Sequence, residues 1–221
     1  MTRALVTKEL RETWAYAALA LALSLAFVCR QTGFWSRFLL WTLDWVPGLA
    51  EQAVLPFVQI GFGAYLGLIG FVLAMTLGFQ QSCWESRQAL YLLHLPVRRR
   101  TYFLAKLGAG IALLMASMSL PILLYAGWAA WPRTHPAPFE WSMIGPALRL
   151  WLLMPLIYLG AFASGIRPAR WIGSRLFPLL AVVVPAVFVY NASWLVGLTM
   201  LGLLSAAFTC EILVEASTRD F

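Results

Sequence analysis

The densest chemistry in this chain sits in the stretch ESRQALYLLHLPVRRRTYFLAK, Glu85 to Lys106. A carboxylate, Glu85, is joined to three consecutive arginines, Arg98, Arg99 and Arg100, through a leucine-rich middle. Trp84 to His94 contains no Gly or Pro and can wind about three helical turns. Leu95 precedes Pro96, and a residue before proline is pushed to extended geometry, so the helix is expected to stop there. Leu90, Leu93 and Val97 recur at i, i+3 and i+7 with Ala89, Leu92 and Leu95 beside them, while Glu85, Arg87 and Gln88 form a polar start. Such a segment binds rather than reacts. An apolar face inside a charged rim fits a groove on another protein, and each arginine near anionic lipid gains about 1 kcal/mol. Lipid alone accounts for the arginines but not for the leucines.

Catalytic chemistry is hard to find elsewhere. No HExxH, GxSxG or Walker A pattern occurs. Cys29, Cys83 and Cys210 form no CxxC pair, which argues against a zinc site or disulfide framework. His94 and His135 fall on opposite sides of the membrane in the topology below and cannot share a metal. The span interiors read as free of Asp, Glu, Lys and Arg, leaving Gln59, Thr76, Ser117, Ser119, Tyr158 and Ser164, which are expected to hydrogen-bond between helices. Glu211 and Glu215 close the last span, with Glu215 spaced to pair with Arg219. The chain is therefore not expected to be an enzyme, and no catalytic, metal or cofactor residue is assigned.

The elements around these residues are membrane elements. Of 221 residues, 62% are hydrophobic and 11% charged, far from the composition of a soluble domain. Six runs approach the roughly 20 apolar residues needed to cross a bilayer: Trp14–Val28, Ala53–Phe79, Tyr102–Trp131, Pro146–Gly165, Trp171–Tyr190 and Trp194–Val214. The fifth is short and holds Pro178 and Pro185, so a re-entrant hairpin with the sixth is the alternative. The expected fold is an all-α polytopic membrane protein, one transmembrane domain over 1–221. Twelve of the 16 cations lie at the amino terminus, after the second and fourth spans and in the tail, which places both termini in the cytoplasm. The net charge of +7 is thus read as topology rather than nucleic-acid binding. Arg30 to Gln52, with Trp35, Trp41 and Trp45, suits an interfacial external loop. Gly63, Gly67, Gly70, Ala74 and Gly78 line one face of the second span, and Gly108, Ala112 and Ala116 one face of the third. Both stripes permit close helix approach, within the chain in preference to a dimer seam.

Glu85, Leu92-Leu93, Leu95-Pro96-Val97, Arg99 or Arg100, Tyr102 and Lys106 together resemble the first cytoplasmic loop of export-type ABC transporter permeases of the type-2 class. The amino-terminal ALVTKELRETW resembles the interfacial amphipathic helix that opens those proteins, with Leu5, Val6 and Leu10 greasy and Lys8, Glu9, Arg11 and Glu12 wet. Six spans with both ends inside also match. Arg87-Gln88 stands where the family has Gly-Thr, and Tyr190 to Trp194 leaves little room for that family's external hairpin. The resemblance implies an interfacial helix over 1–13 and a coupling-helix loop over 84–100. Leu90, Leu92, Leu93 and Leu95 would then seat in a groove on a separate ABC-type ATPase, with Glu85, Arg87, Pro96, Arg98, Arg99 and Arg100 around them. It further implies a second permease subunit, ATP and Mg on the ATPase, a bacterial cytoplasmic membrane, and no nucleic-acid partner. A structural or assembly membrane protein with a docking loop is the alternative. The coupling reading rests on that short helix standing apart from the membrane-crossing ones.

Overall fold

A computed structural model describes residues 2–32, 57, 60–92, 99–132, 134, 138–167 and 171–218, and side chains for these except 2–5, 60–61, 83–92, 216 and 218. Among the described residues the fold is all helix: α1 (Thr2–Gln31), α2 (Ile60–Leu92), α3 (Arg99–Ala130), a 3-10 turn (Trp141–Ile144), α4 (Gly145–Ile166), α5 (Ile172–Asn191) and α6 (Trp194–Thr218). Six stretches are long and apolar enough to span a bilayer. The chain is an all-α polytopic membrane protein. An even number of spans puts the described ends of α1 and α6 on one side, here called the terminal end.

Two boundaries depart from the sequence expectation. The interfacial helix expected over 1–13 is not a separate element, because α1 runs unbroken from Thr2 to Gln31. Nothing in that run interrupts it: it holds no Gly or Pro, and Ala and Leu dominate its middle. Nor is the segment from Trp84 a separate coupling helix as far as Leu92, since α2 continues through it. At 1.5 Å per residue, the 33 residues of α2 reach about 50 Å, well beyond a hydrocarbon core of about 30 Å. Its apolar run gives way to Glu85, Arg87 and Gln88, so its last turns extend past the apolar crossing part at the terminal end. The absence of any helix breaker between Ser82 and Leu92 is the physical reason.

The fifth run forms one continuous helix of 20 residues rather than a re-entrant hairpin. Pro178 and Pro185 both lie inside it. Next to Pro178, the Leu179 N–H donates to Ser164 Oγ of α4 at 3.0 Å, the kind of neighbouring hydroxyl that lets a membrane helix tolerate proline. The external loop read over Arg30–Gln52 and both histidines lie outside the described residues from position 33 onward.

α4 is the central post. It packs against α2, α3, α5 and α6, and two-thirds of its crossing window is buried, against 11% for α6. The α2 stripe is what lets α4 in. Gly63 and Gly67 face Leu150, Gly70 faces Met154 and Met118, and Ala74 is fully buried. A Cβ at Gly78 would stand 2.8 Å from the Tyr158 carbonyl oxygen and 2.7 Å from Ala161 Cβ, so the two backbones touch there. The α3 stripe behaves differently from expectation. Gly108, Ala112 and Ala116 are exposed, and nothing lies within 4 Å of a Cβ built on Gly108. At the end away from the termini the core is aromatic, with Phe57 packed on Phe62 (5.1 Å) and Tyr125 (4.7 Å).

Candidate functional site: a buried ion pair at the terminal end

Continuing α1 back to Thr2 turns Glu9 inward. Glu9, Thr13, Ala17, Ala20, Ser24 and Phe27 fall on one helical stripe and all are buried. The expectation that Glu9 lies on the wet side is therefore overturned: it is 3% exposed, while Lys8, Arg11 and Glu12 do face outward. Short side chains along that stripe bring α1 against α3, whose buried face carries Tyr102, Lys106, Gly110, Leu114 and Ser117. Lys106, the last residue of the charged stretch that begins at Glu85, is likewise 3% exposed. Charged side chains thus do stand within the helices, contrary to the sequence reading of the span interiors.

The two charges meet. Lys106 Nζ lies 3.7 Å from Glu9 Oε1, with both side chains about 4% exposed. The same ammonium donates to the Gln81 carbonyl oxygen at 2.9 Å and sits 5.4 Å from the centre of the Tyr102 ring. Gln81, also buried, extends the cluster: the Tyr158 hydroxyl of α4 donates to Gln81 Oε1. Its Nε2 has no hydrogen-bond partner among the described residues. Below Glu9, Thr13 Oγ1 donates back to the Glu9 carbonyl oxygen at 2.7 Å. Glu9, Gln81, Lys106 and Tyr158 therefore tie α1, α2, α3 and α4 together in one polar cluster.

Glycines make the room. A Cβ at Gly110 would strike the Tyr158 hydroxyl and Gln81 Oε1, and one at Gly165 would strike Ser82 Oγ. Of the polar groups expected to bridge helices, Tyr158 and Ser164 do so. Thr76, Ser117 and Ser119 instead return their hydroxyls to carbonyls of their own helix. Gln59 lies outside the described residues.

This cluster acts on the packing of the helices through electrostatics. An isolated ion inside a membrane protein is expensive, and such residues pair with one another or with backbone carbonyls. Lys106 does both. Its position matters more than its chemistry, because Gln81 lies about one turn before the charged Glu85 and Arg87 of α2 and Lys106 lies about two turns into α3. The pair therefore clamps the base of the projecting α2–α3 hairpin onto α1 and, through Tyr158, onto α4. No grouping of three or more metal-ligating residues occurs among the described residues.

Of the residues assigned from sequence to ATPase coupling, Glu85, Arg87, Leu90 and Leu92 belong to the projecting end of α2. Leu93, Leu95, Pro96 and Arg98 lie outside the described residues. Arg99 and Arg100 open α3, Arg99 half-buried and Arg100 exposed. From the amino-terminal set, Leu10 is half-buried, and Leu5 lies in α1. Sequence reasoning missed Gln81, Gly110, Gly165 and the inward face of Glu9. The recurrence of small or polar residues at Glu9, Thr13, Ala17, Ala20 and Ser24 was the signal that could have exposed the last of these. Compared with known proteins, the chain matches no protein-family model, no curated protein and no solved structure.

Proposed function

We propose that this chain is the membrane-spanning permease subunit of an ATP-driven exporter, working with a second permease subunit and separate ABC-type ATPase chains that bind ATP and Mg. The observation that carries the reading is the clamp at the base of the α2–α3 hairpin. A force applied to the projecting end of α2 reaches a buried contact joining α1, α2, α3 and α4. The leucines and arginines of 84–100 supply the apolar anchors and charged rim of a docking surface. In this reading both termini face the cytoplasm, following the cation asymmetry, and the bacterial cytoplasmic membrane follows from the family resemblance alone.

Continuity of α2 removes the separate coupling helix on which the sequence reading rested, so the exporter reading stands instead on the clamp and on α2 as a single arm. A helix hinged from the spans would rock in a partner's groove, whereas a continuous one acts as a lever whose displacement is delivered undamped to the bundle. The same continuity favours a second reading, a structural or assembly membrane protein in which α2 is a fixed mast for a partner. Two experiments separate them. Purification in mild detergent brings down an ATPase under the exporter reading, and Leu92→Asp with Leu93→Asp abolishes that association while membrane insertion persists. A solitary chain under several detergents, or transport that survives the double substitution, sinks the exporter reading.

A further inference from the structure

A second charged group within a crossing helix, Arg149, has no acidic partner among the described residues. Arg149 lies about one turn into α4, within the crossing stretch Trp141–Ile166 and at the end away from the termini. Its Nη1 donates to the Tyr190 carbonyl oxygen at 2.9 Å, at the end of α5. One face of the guanidinium stacks on Trp194, 4.9 Å from the ring centre, at the start of α6. Among the described residues it makes no ion pair and no other hydrogen bond. A guanidinium carries five N–H donors in a fixed fork, so donors remain for an acceptor from outside the chain.

The group is also pinned. An arginine on a lone helix would extend its stem and lift its charge to the water interface. Here the Tyr190 carbonyl and the Trp194 ring hold it in place, so an anion has to come to it. What it overlooks is a shallow cleft between α4, α5 and α6, open to the surroundings and walled by Leu152, Leu153, Val189, Leu198 and Leu201. Cation and apolar walls together define the ligand: an anionic head joined to an alkyl tail. A free inorganic anion would leave the walls unused, and a neutral lipid would leave the guanidinium unmatched.

We propose that the Arg149 cleft binds an anionic amphiphile, its phosphate or carboxylate on the free guanidinium edge and its alkyl chain along Leu152, Leu198 and Leu201. This holds whether or not an ATPase drives the chain, and its test does not involve one.

The test is native mass spectrometry of the full chain released from dodecyl maltoside, with dodecyl phosphate, dodecanol, inorganic phosphate or phosphatidylglycerol added in turn. Dodecyl phosphate is retained, dodecanol is not, and excess inorganic phosphate fails to compete. Arg149→Gln lowers retention about tenfold, the usual scale for losing a charge-assisted contact. Because Arg149 also ties α4 to α5, Leu198→Trp serves as the second variant: it fills the cleft, leaves the Arg149 contacts in place and lowers retention similarly. Phosphatidylglycerol retained with the same dependence on both variants identifies the source as a bilayer lipid; dodecyl phosphate alone identifies a single-chain amphiphile. Equal retention of dodecanol, full competition by inorganic phosphate, or retention unchanged by Leu198→Trp overturns the proposal.

Discussion

Removing one side of the Glu9–Lys106 pair strands the other in a place that water does not reach. Glu9→Gln or Lys106→Met alone is expected to destabilise the chain by about 3–5 kcal/mol, the scale for leaving a buried charge uncompensated. The double variant should recover much of that loss, because two neutral side chains of similar size need no partner. Thermal unfolding in detergent, run as a double-mutant cycle, reads this directly; a double-variant loss equal to the sum of the two single losses would mean that the pair is not coupled. Tyr158→Phe strips Gln81 of the hydroxyl that donates to its Oε1 and should cost about 1–3 kcal/mol in the same assay. None of this was legible locally. Glu9 sits in a stretch with Lys8, Arg11 and Glu12, which reads as an exposed face, and its partner is supplied by a helix remote in sequence. Lys106 was legible as a boundary cation, but only the packing of α1 on α3 makes that boundary a buried one.

Among the elements, the six apolar runs declared themselves because a bilayer imposes a minimum length, and every one of them appears as a helix. Helix ends were harder to read. The sequence marks where a helix must stop, at a proline or glycine, and is silent where amphipathic segments simply fuse to the spans, as α1 and α2 do. The small-residue stripes show the same asymmetry. Spacing identified both, but only tertiary packing decides that the α2 stripe meets α4 while the α3 stripe faces outward. Gly78→Leu should therefore be severe, since its side chain would enter the α4 backbone, with a loss of about 1–3 kcal/mol or more. Ala112→Leu should stay within about 0.5 kcal/mol in the same unfolding measurement. For the lever itself, a proline at Gln88 interrupts α2 beyond the membrane. Under the exporter reading that variant keeps its ATPase and loses transport, because the partner still docks but its motion no longer reaches the bundle. Unimpaired transport would show that α2 does not act as a rigid arm.

For the whole molecule, α4 is enclosed and α6 is nearly bare, so the bundle is built from the inside of one post outward. Bare flanks such as Leu195 and Leu203 on α6 are ordinary for a surface solvated by lipid tails. The even number of spans makes a simple topological prediction. In a cysteine-free background, single cysteines at Thr7 and Ser217 react with an impermeant thiol reagent from one side of sealed vesicles, and one at Ser193 reacts from the other. Labelling of all three from one side would contradict six crossings. That much of the architecture was readable from hydropathy, whereas the charges inside it were not, because a pair spends its polarity on itself and leaves no trace in an averaged profile.

The carboxylate that quiets Lys106 emerges from the ribosome long before the lysine does. Until α1 has settled beside α3, the third helix carries an orphaned cation at its membrane-entering end, so its insertion has to wait for the first helix. Any product that starts downstream of Glu9, whether by internal initiation or by clipping, should be delivered to the membrane in the right orientation and then removed by quality-control proteases.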